Sequence, residues 1–289
     1  MFSNFIVTDT LEGIVVSSAE RVQKSMIYGE VVGLYVYPIK SCGGFELDEI
    51  VIDDFGPKWD RRWMIVDENG VFVSQRKTAQ LARVTTKIQN RQLCIDVPDN
   101  ATFYLDIDAC EKAPIREVRV WNDYVFAGDC GDAIAQIFSN FLSKKVRLVF
   151  MQESRPRIRE KEHKFTVSFA DSRPLLMTNI ASLRALNQLA KQPIPMDRFR
   201  ANVVIDAEPP FIEETLQTFK IGAIDIIESV ACDRCVITTI DQSSGKKSDA
   251  EPLTTLFAHF KKQDGKVYFG QRLVVGNHGV IKITDRVRT

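Results

Sequence analysis

The chain has 289 residues, 45% hydrophobic and 26% charged, with 38 lysines and arginines balancing 38 aspartates and glutamates. This is an ordinary globular composition, long enough for one large domain or two smaller ones. The even balance gives no bulk basic signal for nucleic acid, and no apolar run reaches the roughly 18 residues of a membrane-spanning helix.

In chain order, residues 1–28 read as a loosely attached leader without the basic start of a signal peptide or a membrane anchor. The first strong strand is Val31–Tyr37. It ends at Pro38, and the glycine-rich bend Ile39–Gly44 presents Lys40 and Ser41. Short β-type runs follow at Leu47–Asp53, Arg62–Val66, Val71–Val73 after the hairpin signal Asp67–Gly70, Leu81–Ile88, Gln92–Val97, Ala101–Ile107 and Ile115–Val120. So many short strands argue for a barrel or sandwich. Ile134, Ile137, Phe138, Phe141 and Leu142 share one face of a helix beginning near Gly131. Asn179 is placed to cap a second helix and Pro252 to open a third. Further strands are expected at Val146–Phe150, Asn202–Ile205, Ile224–Val230, Val236–Ile240, Lys266–Phe269, Leu273–Val275 and Val280–Thr284. The charged run Glu153–Lys164 reads as an exposed connector between a β-rich first half and a mixed second half, or alternatively as a basic lip over an anionic ligand.

Six cysteines stand at 42, 94, 110, 130, 232 and 235, and only the last two are closely spaced, which suits a reduced, cytoplasmic setting. A thiolate beside Arg234 forms more easily than a free one, and soft metals bind thiolates. Structural zinc wants about four ligands, yet His163, His259 and His278 are scattered. A dithiol of the thioredoxin kind wants its motif at a helix start. Two buried structural cysteines are a third reading. Basic residues recur at strand ends and tight turns: Lys40, Arg61, Arg76, Arg173, Arg200 and Arg234. Singly each reads as a surface ion pair; converging, they would make a site for a multiply charged anion. A thiolate ligand with an anion cradle fits a molybdenum–pterin cofactor.

Several motifs occur together: Tyr37–Cys42, Trp59–Trp63, Gly128–Gly131, Phe169–Asp171 with Pro174, Phe199–Asn202, Cys232–Thr239, Glu251–Leu253 and Phe269–Gln271. On these, from Val31 to Val287, the chain resembles the MOSC-domain family, and within it the amidoxime-reducing group and its bacterial relatives. The resemblance implies an α+β architecture: a β-rich N-terminal subdomain over 29–150, resembling the MOSC N-terminal β-barrel domain, packed on a C-terminal MOSC β-barrel with flanking helices over 151–289. It makes Cys235 the thiolate ligand of molybdenum in the molybdenum–molybdopterin cofactor (Moco), and so the catalytic metal position, with Cys232 a neighbour that is not a ligand. It places the pterin and phosphate on Lys40, Ser41, Arg61, Arg200 and Arg234, and lines the pocket with Asp171, Ser172 and Arg173. Arg76 matches a family arginine without an assigned role. Ala201, Asp233 and Arg272 depart from the usual pattern, Asp233 bringing an acid toward the phosphate. The activity implied is an oxidoreductase that reduces N-hydroxylated compounds, amidoximes and hydroxylamines, by oxygen-atom transfer. Electrons would come from a separate flavin, haem or iron–sulfur protein. The alternatives are a non-catalytic carrier of the molybdenum cofactor or of sulfur, and a plain thiol oxidoreductase using Cys232 and Cys235.

Overall fold

The structure, a computed structural model, describes residues 26–247, 250–260, 262 and 264–289. Up to residue 25, the expected leader lies outside the described residues. The fold is α+β and is built on a closed barrel of seven strands. Around the barrel run Ile27–Val36, Val203–Ala207, Leu175–Asn179, Tyr268–Val275, Ile224–Asp233, Phe219–Ile221 and Arg286–Arg288, the last pairing again with the first. The first strand of the chain thus closes a barrel made mostly from its second half.

Alternation along these strands decides what faces inward. Leu175 and Met177, Val203 and Ile205, Phe219 and Ile221, and Ile224 and Ile226 join Val31 and Leu34 in one buried cluster. The Leu175–Asn179 and Val203–Ala207 strands are the parallel pair, and a parallel pair needs a crossover, supplied in part by helix Ile180–Asn187. Asn179 caps that helix as expected, accepting from Ala181 N at 3.0 Å. Its amide also donates to Ala207 O and to Glu213 at 2.8 and 3.0 Å, which ties the crossover to the turn Ile212–Thr215.

A second body packs beside the barrel. Strands Trp63–Asp67, Val146–Phe150, Asp123–Asp129 and Ile115–Val120 form an antiparallel sheet, and Thr85–Gln89, Gln92–Asp96 and Phe103–Asp106 form another. Trp63 and Ile65 point into one apolar cluster, with helix Asp132–Leu142, while Met64 and Val66 point into a second. Gly131 is the N-cap of that helix, at the expected start.

Three local expectations fail for physical reasons. Val236–Ile240 is β-branched but follows a strand that ends at Asp233. It forms the 3₁₀ turn Val236–Thr239, whose threonine hydroxyls bond back to Cys235 O and Val236 O at 2.9 and 2.8 Å. Leu81–Ile88 divides into a 3₁₀ turn at Ala79–Arg83 and a strand at Thr85–Gln89. The connector at Glu153–Lys164 is largely a hairpin, Arg157–Glu160 against Lys164–Val167, and Arg157 is buried. No helix among the described residues is long and apolar enough to cross a membrane.

Glu213 is fully buried and held by Ser182 and Asn179 with no basic partner among the described residues. Burial raises its pKa, and those two hydrogen bonds only partly oppose the rise. The folded chain therefore keeps this proton to higher pH than the unfolded chain, which loses it near pH 4.3. The stability it contributes is full below about pH 4.3 and declines as pH rises through the raised value. Thermal unfolding scans should show this decline in the wild type, and Glu213→Gln should flatten it.

Candidate functional site

The nine residues that the resemblance places at the cofactor all border one cavity of about 350 Å³: Lys40, Ser41, Arg61, Asp171, Ser172, Arg173, Arg200, Arg234 and Cys235. It opens where the end of the first barrel strand, the Trp59–Arg62 turn, the loop 169–174, the Phe199–Asn202 turn and the Cys232–Thr238 segment meet. Arg76, Trp121 and Arg272 also line it.

Asp60 organises the approach of these segments. It is 2% exposed. Its Oδ1 accepts from Tyr37 N at 2.9 Å, Asn202 Nδ2 at 2.9 Å and Arg61 Nη1 at 2.6 Å, and its carbonyl accepts from Ser168 Oγ at 2.7 Å. Arg61 continues the link through Nη2 to Arg200 O at 3.0 Å. The guanidiniums of Arg61 and Arg200 lie 4.5 and 4.4 Å from the Tyr37 ring centre, so both stack on one buried aromatic. Ser41, Arg61 and Arg200 have φ of 71°, 50° and 54°, a left-handed conformation that non-glycine residues rarely adopt. Such strain gathers where the surrounding structure over-determines a site.

Most of the basic groups are neutralised, and three are not. Arg61 pairs with Asp60, Lys40 with Asp171, Arg173 with Glu228, and Arg272 with Asp233. Arg76, Arg200 and Arg234 have no carboxylate at ion-pair distance among the described residues. Burial pushes the Arg200 pKa down to about 10, and repulsion from Arg61 adds to it. The site is short of negative charge by design of its sequence. Ser172 Oγ, Arg76 Nε and Arg234 Nε are buried and have no hydrogen-bond partner among the described residues. A ligand carrying phosphate oxygens could meet such donors.

The two clustered cysteines meet different arginines. Arg234, expected to favour a thiolate at its neighbour Cys235, turns the other way. It donates to Cys232 Sγ at 2.8 Å and to Phe199 O at 2.7 Å. Cys235 Sγ lies 3.5 Å from Nη2 of Arg76, whose guanidinium sits 4.3 Å from the Trp121 ring centre. Arg76 comes from the distant turn after Val73, so chain adjacency could not show this contact. Cys42, also near the cavity, is fully buried and its thiol is pushed up to about 12, which makes it inert.

Asp171 works on two neighbours. It receives Lys40 Nζ and, at 3.1 Å, Trp121 Nε1. Burial opposes its ionisation, but Lys40 holds it below the usual carboxylate range. Lys40 also donates to Phe169 O at 2.8 Å, and burial lowers its own pKa despite Asp171. Arg157, from the hairpin taken for a connector, fixes this loop through Ser168 O and Ala170 O at 2.7 and 3.0 Å. Asp233 lines the cavity too, but its charge is met by Arg272. Its carboxylate takes Arg272 Nη2 at 2.5 Å, so two departures from the family pattern form one ion pair. Tyr37, Asp60, Trp121 and Arg157 were missed as site residues. Asp60 and Tyr37 lie inside the motifs of the resemblance and Arg157 inside the charged run, whereas Trp121 carries no signal in the sequence.

Asp60→Ala would leave Arg61, Asn202 and the Tyr37 amide without their shared acceptor. Urea unfolding should show a loss of about 3–5 kcal/mol, the range for removing one partner of a buried pair.

A scan against family models matches the MOSC N-terminal beta barrel domain over residues 28–145 and the MOSC domain over residues 164–288. Mitochondrial amidoxime-reducing component 1 of Homo sapiens is 30% identical over 280 residues, covering 90% of this chain and 82% of that protein. Mitochondrial amidoxime reducing component 2 of Rattus norvegicus is 31% identical over 241 residues, covering 79% and 71%. A molybdenum cofactor sulfurase of Drosophila erecta is 32% identical over 257 residues, covering 87% of this chain but 32% of that protein. A chain with both domain matches, and relatives aligned over most of its length, belongs to the MOSC-domain family.

Proposed function

We propose that this chain is a molybdenum-cofactor-dependent reductase of N-hydroxylated compounds, amidoximes and hydroxylamines, taking electrons from a separate flavin, haem or iron–sulfur protein. The observation that carries the reading is the Cys235 thiol at the wall of a cavity holding three arginines without carboxylate partners. A phosphate monoester brings about −1.5 to −2 charges and a thiolate one more, which together balance three guanidiniums. The relatives named for amidoxime reduction support the substrate class.

In this reading Cys235 gives its thiolate to molybdenum. Arg61, Arg200, Arg234, Lys40 and Ser41 hold the pterin and its phosphate, and Asp171, Ser172 and Arg173 border them. When bound, the cofactor supplies two-electron oxygen-atom transfer from an N–OH group. The chain's own groups set the conditions for it. Arg76 keeps positive charge at Cys235 Sγ, and its stacking on Trp121 fixes it there. Asp171 remains a carboxylate at neutral pH, so it orients Lys40 and Trp121 and does not donate a proton. Phe72 and Trp121, with ring centres 4.7 Å apart, give the cavity an apolar wall suited to an aromatic or aliphatic amidoxime. The residues 29–150 and 151–289 act in this reading as two domains that share the site between them.

Protein made in a host that supplies the cofactor should carry molybdenum and pterin and reduce benzamidoxime with a chemical electron donor. Cys235→Ser should abolish reduction and lose molybdenum, whereas Cys232→Ser should retain both. A thiol oxidoreductase would need both cysteines and no metal. The sulfurase relative favours a carrier as the second reading. Loaded protein that fails to reduce benzamidoxime would support it.

Arg76→Met should lower turnover about tenfold to a hundredfold, in the range for residues that orient a metal ligand, with Arg76→Lys restoring part of it. Metal content should change less than turnover, which separates this role from simple loss of cofactor.

A further inference from the structure

We infer that Cys110 and Cys130 form an oxidisable dithiol, a disulfide-forming site separate from the Cys235 cavity. Their sulfur atoms lie 3.9 Å apart and are not bonded. A disulfide needs about 2.05 Å, so closure requires a shift of about 2 Å, within reach of small side-chain rotations.

The backbones on both sides are held for this approach. Cys110 ends a short helix, Ile107–Glu111, started by Asp106, whose carboxylate accepts from Asp108 N and Ala109 N. Gln152 Nε2 clamps the end of that helix through Cys110 O, Glu111 O and Ala113 O at 3.3, 2.9 and 3.2 Å. Cys130 is fixed by its N–H to Leu148 O at 3.0 Å and stands just before the Gly131 cap of helix Asp132–Leu142. Between the two lies Gly128. A Cβ there would sit 2.9 Å from Cys110 O, so only glycine lets the two segments come this close.

The chemistry favours the pair over the other cysteines. Cys110 is 2% exposed, while Cys130 is partly open to solvent. The S–H of one bonds the sulfur of the other, so the first ionisation belongs to the pair. That bond from Cys130 lowers the Cys110 pKa, and burial raises that of Cys130. The proton therefore rests more on Cys130, but it passes along the S–H···S bond, and in the minor form with the proton on Cys110 the thiolate is the sulfur that solvent reaches, Cys130. It attacks hydrogen peroxide, breaking the O–O bond to give a sulfenic acid and hydroxide. The Cys110 thiol then attacks that sulfur. The S–S bond forms as the S–O bond breaks, and water leaves with the thiol proton. Two thiols and one peroxide thus give one disulfide and two waters. Excess low-molecular-weight thiol reverses the change by exchange. The bridge would tie the Ile107–Glu111 helix to the start of Asp132–Leu142 and stabilise the second body by constraining the unfolded chain.

The test is peptide mapping of the full chain after brief treatment with one equivalent of hydrogen peroxide, with free thiols alkylated before denaturation is complete. A peptide joining residues 110 and 130, lighter by two hydrogens and cleaved by dithiothreitol, is expected, together with a higher Tm than the reduced chain. In Cys110→Ser, Cys130 should pass on to sulfinic acid and the rise in Tm should vanish. Full alkylation of both cysteines after peroxide would overturn the inference. So would a first linkage formed elsewhere in the chain, or equal rates of Cys130 over-oxidation in wild type and Cys110→Ser.

Discussion

The site depends on a single buried carboxylate. Asp60 reaches the end of the first barrel strand, the neighbouring Arg61 and the turn after Phe199, and its own carbonyl takes the hairpin at Ser168. A buried carboxylate is unfavourable unless each of its lone pairs is met. Here backbone, amide and guanidinium donors meet them, and each comes from a different part of the chain. Taking away any one segment would leave the others with an unmatched charge. The carboxylate therefore stabilises the meeting of the barrel with the second body at the place where the cavity opens.

That constraint also holds backbone conformations the chain would not choose alone. Arg61 and Arg200 both take positive φ, and both place guanidiniums on Tyr37. Two like charges on one ring repel, which adds to the effect of burial in lowering the Arg200 pKa. Folding accepts this repulsion because Asp60 neutralises one of the two. The other, Arg200, has no carboxylate at ion-pair distance among the described residues and meets Gln242 Oε1 at 3.2 Å. The cavity's excess of positive charge is thus built into the fold.

Much of this was legible in the sequence. Alternating apolar residues marked the barrel strands, and the 3.6-residue spacing of Ile134, Phe138 and Phe141 marked a helix. Clustered basic residues at strand ends marked the cavity, because such ends are where loops present side chains. What failed depended on particular contacts, some distant and some local, that periodicity does not show. The first strand's closure of the barrel pairs residues about 175 positions apart, as between Gly29 and Ala207, and periodicity cannot specify a partner. Val236–Thr239 had strand composition, but its threonines bond their own backbone. Arg157 sat in a charged run that read as solvated, and its burial follows only from the carbonyls of Ser168 and Ala170 that it finds.

The arginines show the limit most clearly. In sequence, Arg234 is the neighbour of Cys235, and a charge one residue away is the natural candidate to favour its thiolate. In space, the strand carrying Cys232 and the turn beginning at Cys235 diverge, and Arg234 follows the strand. Its charge goes to the cysteine that the resemblance leaves without a metal. The charge at Cys235 comes instead from Arg76, 159 residues away, held by an indole from yet another loop. The same geometry removes the difficulty of Asp233. An acid beside a phosphate site would oppose binding, but the strand pairing that sets Asp233 opposite Tyr268 brings Arg272 within reach, and the pair neutralises itself. Two changes that look unfavourable singly are consistent once the register of two strands is known, so the cavity's positive balance survives both.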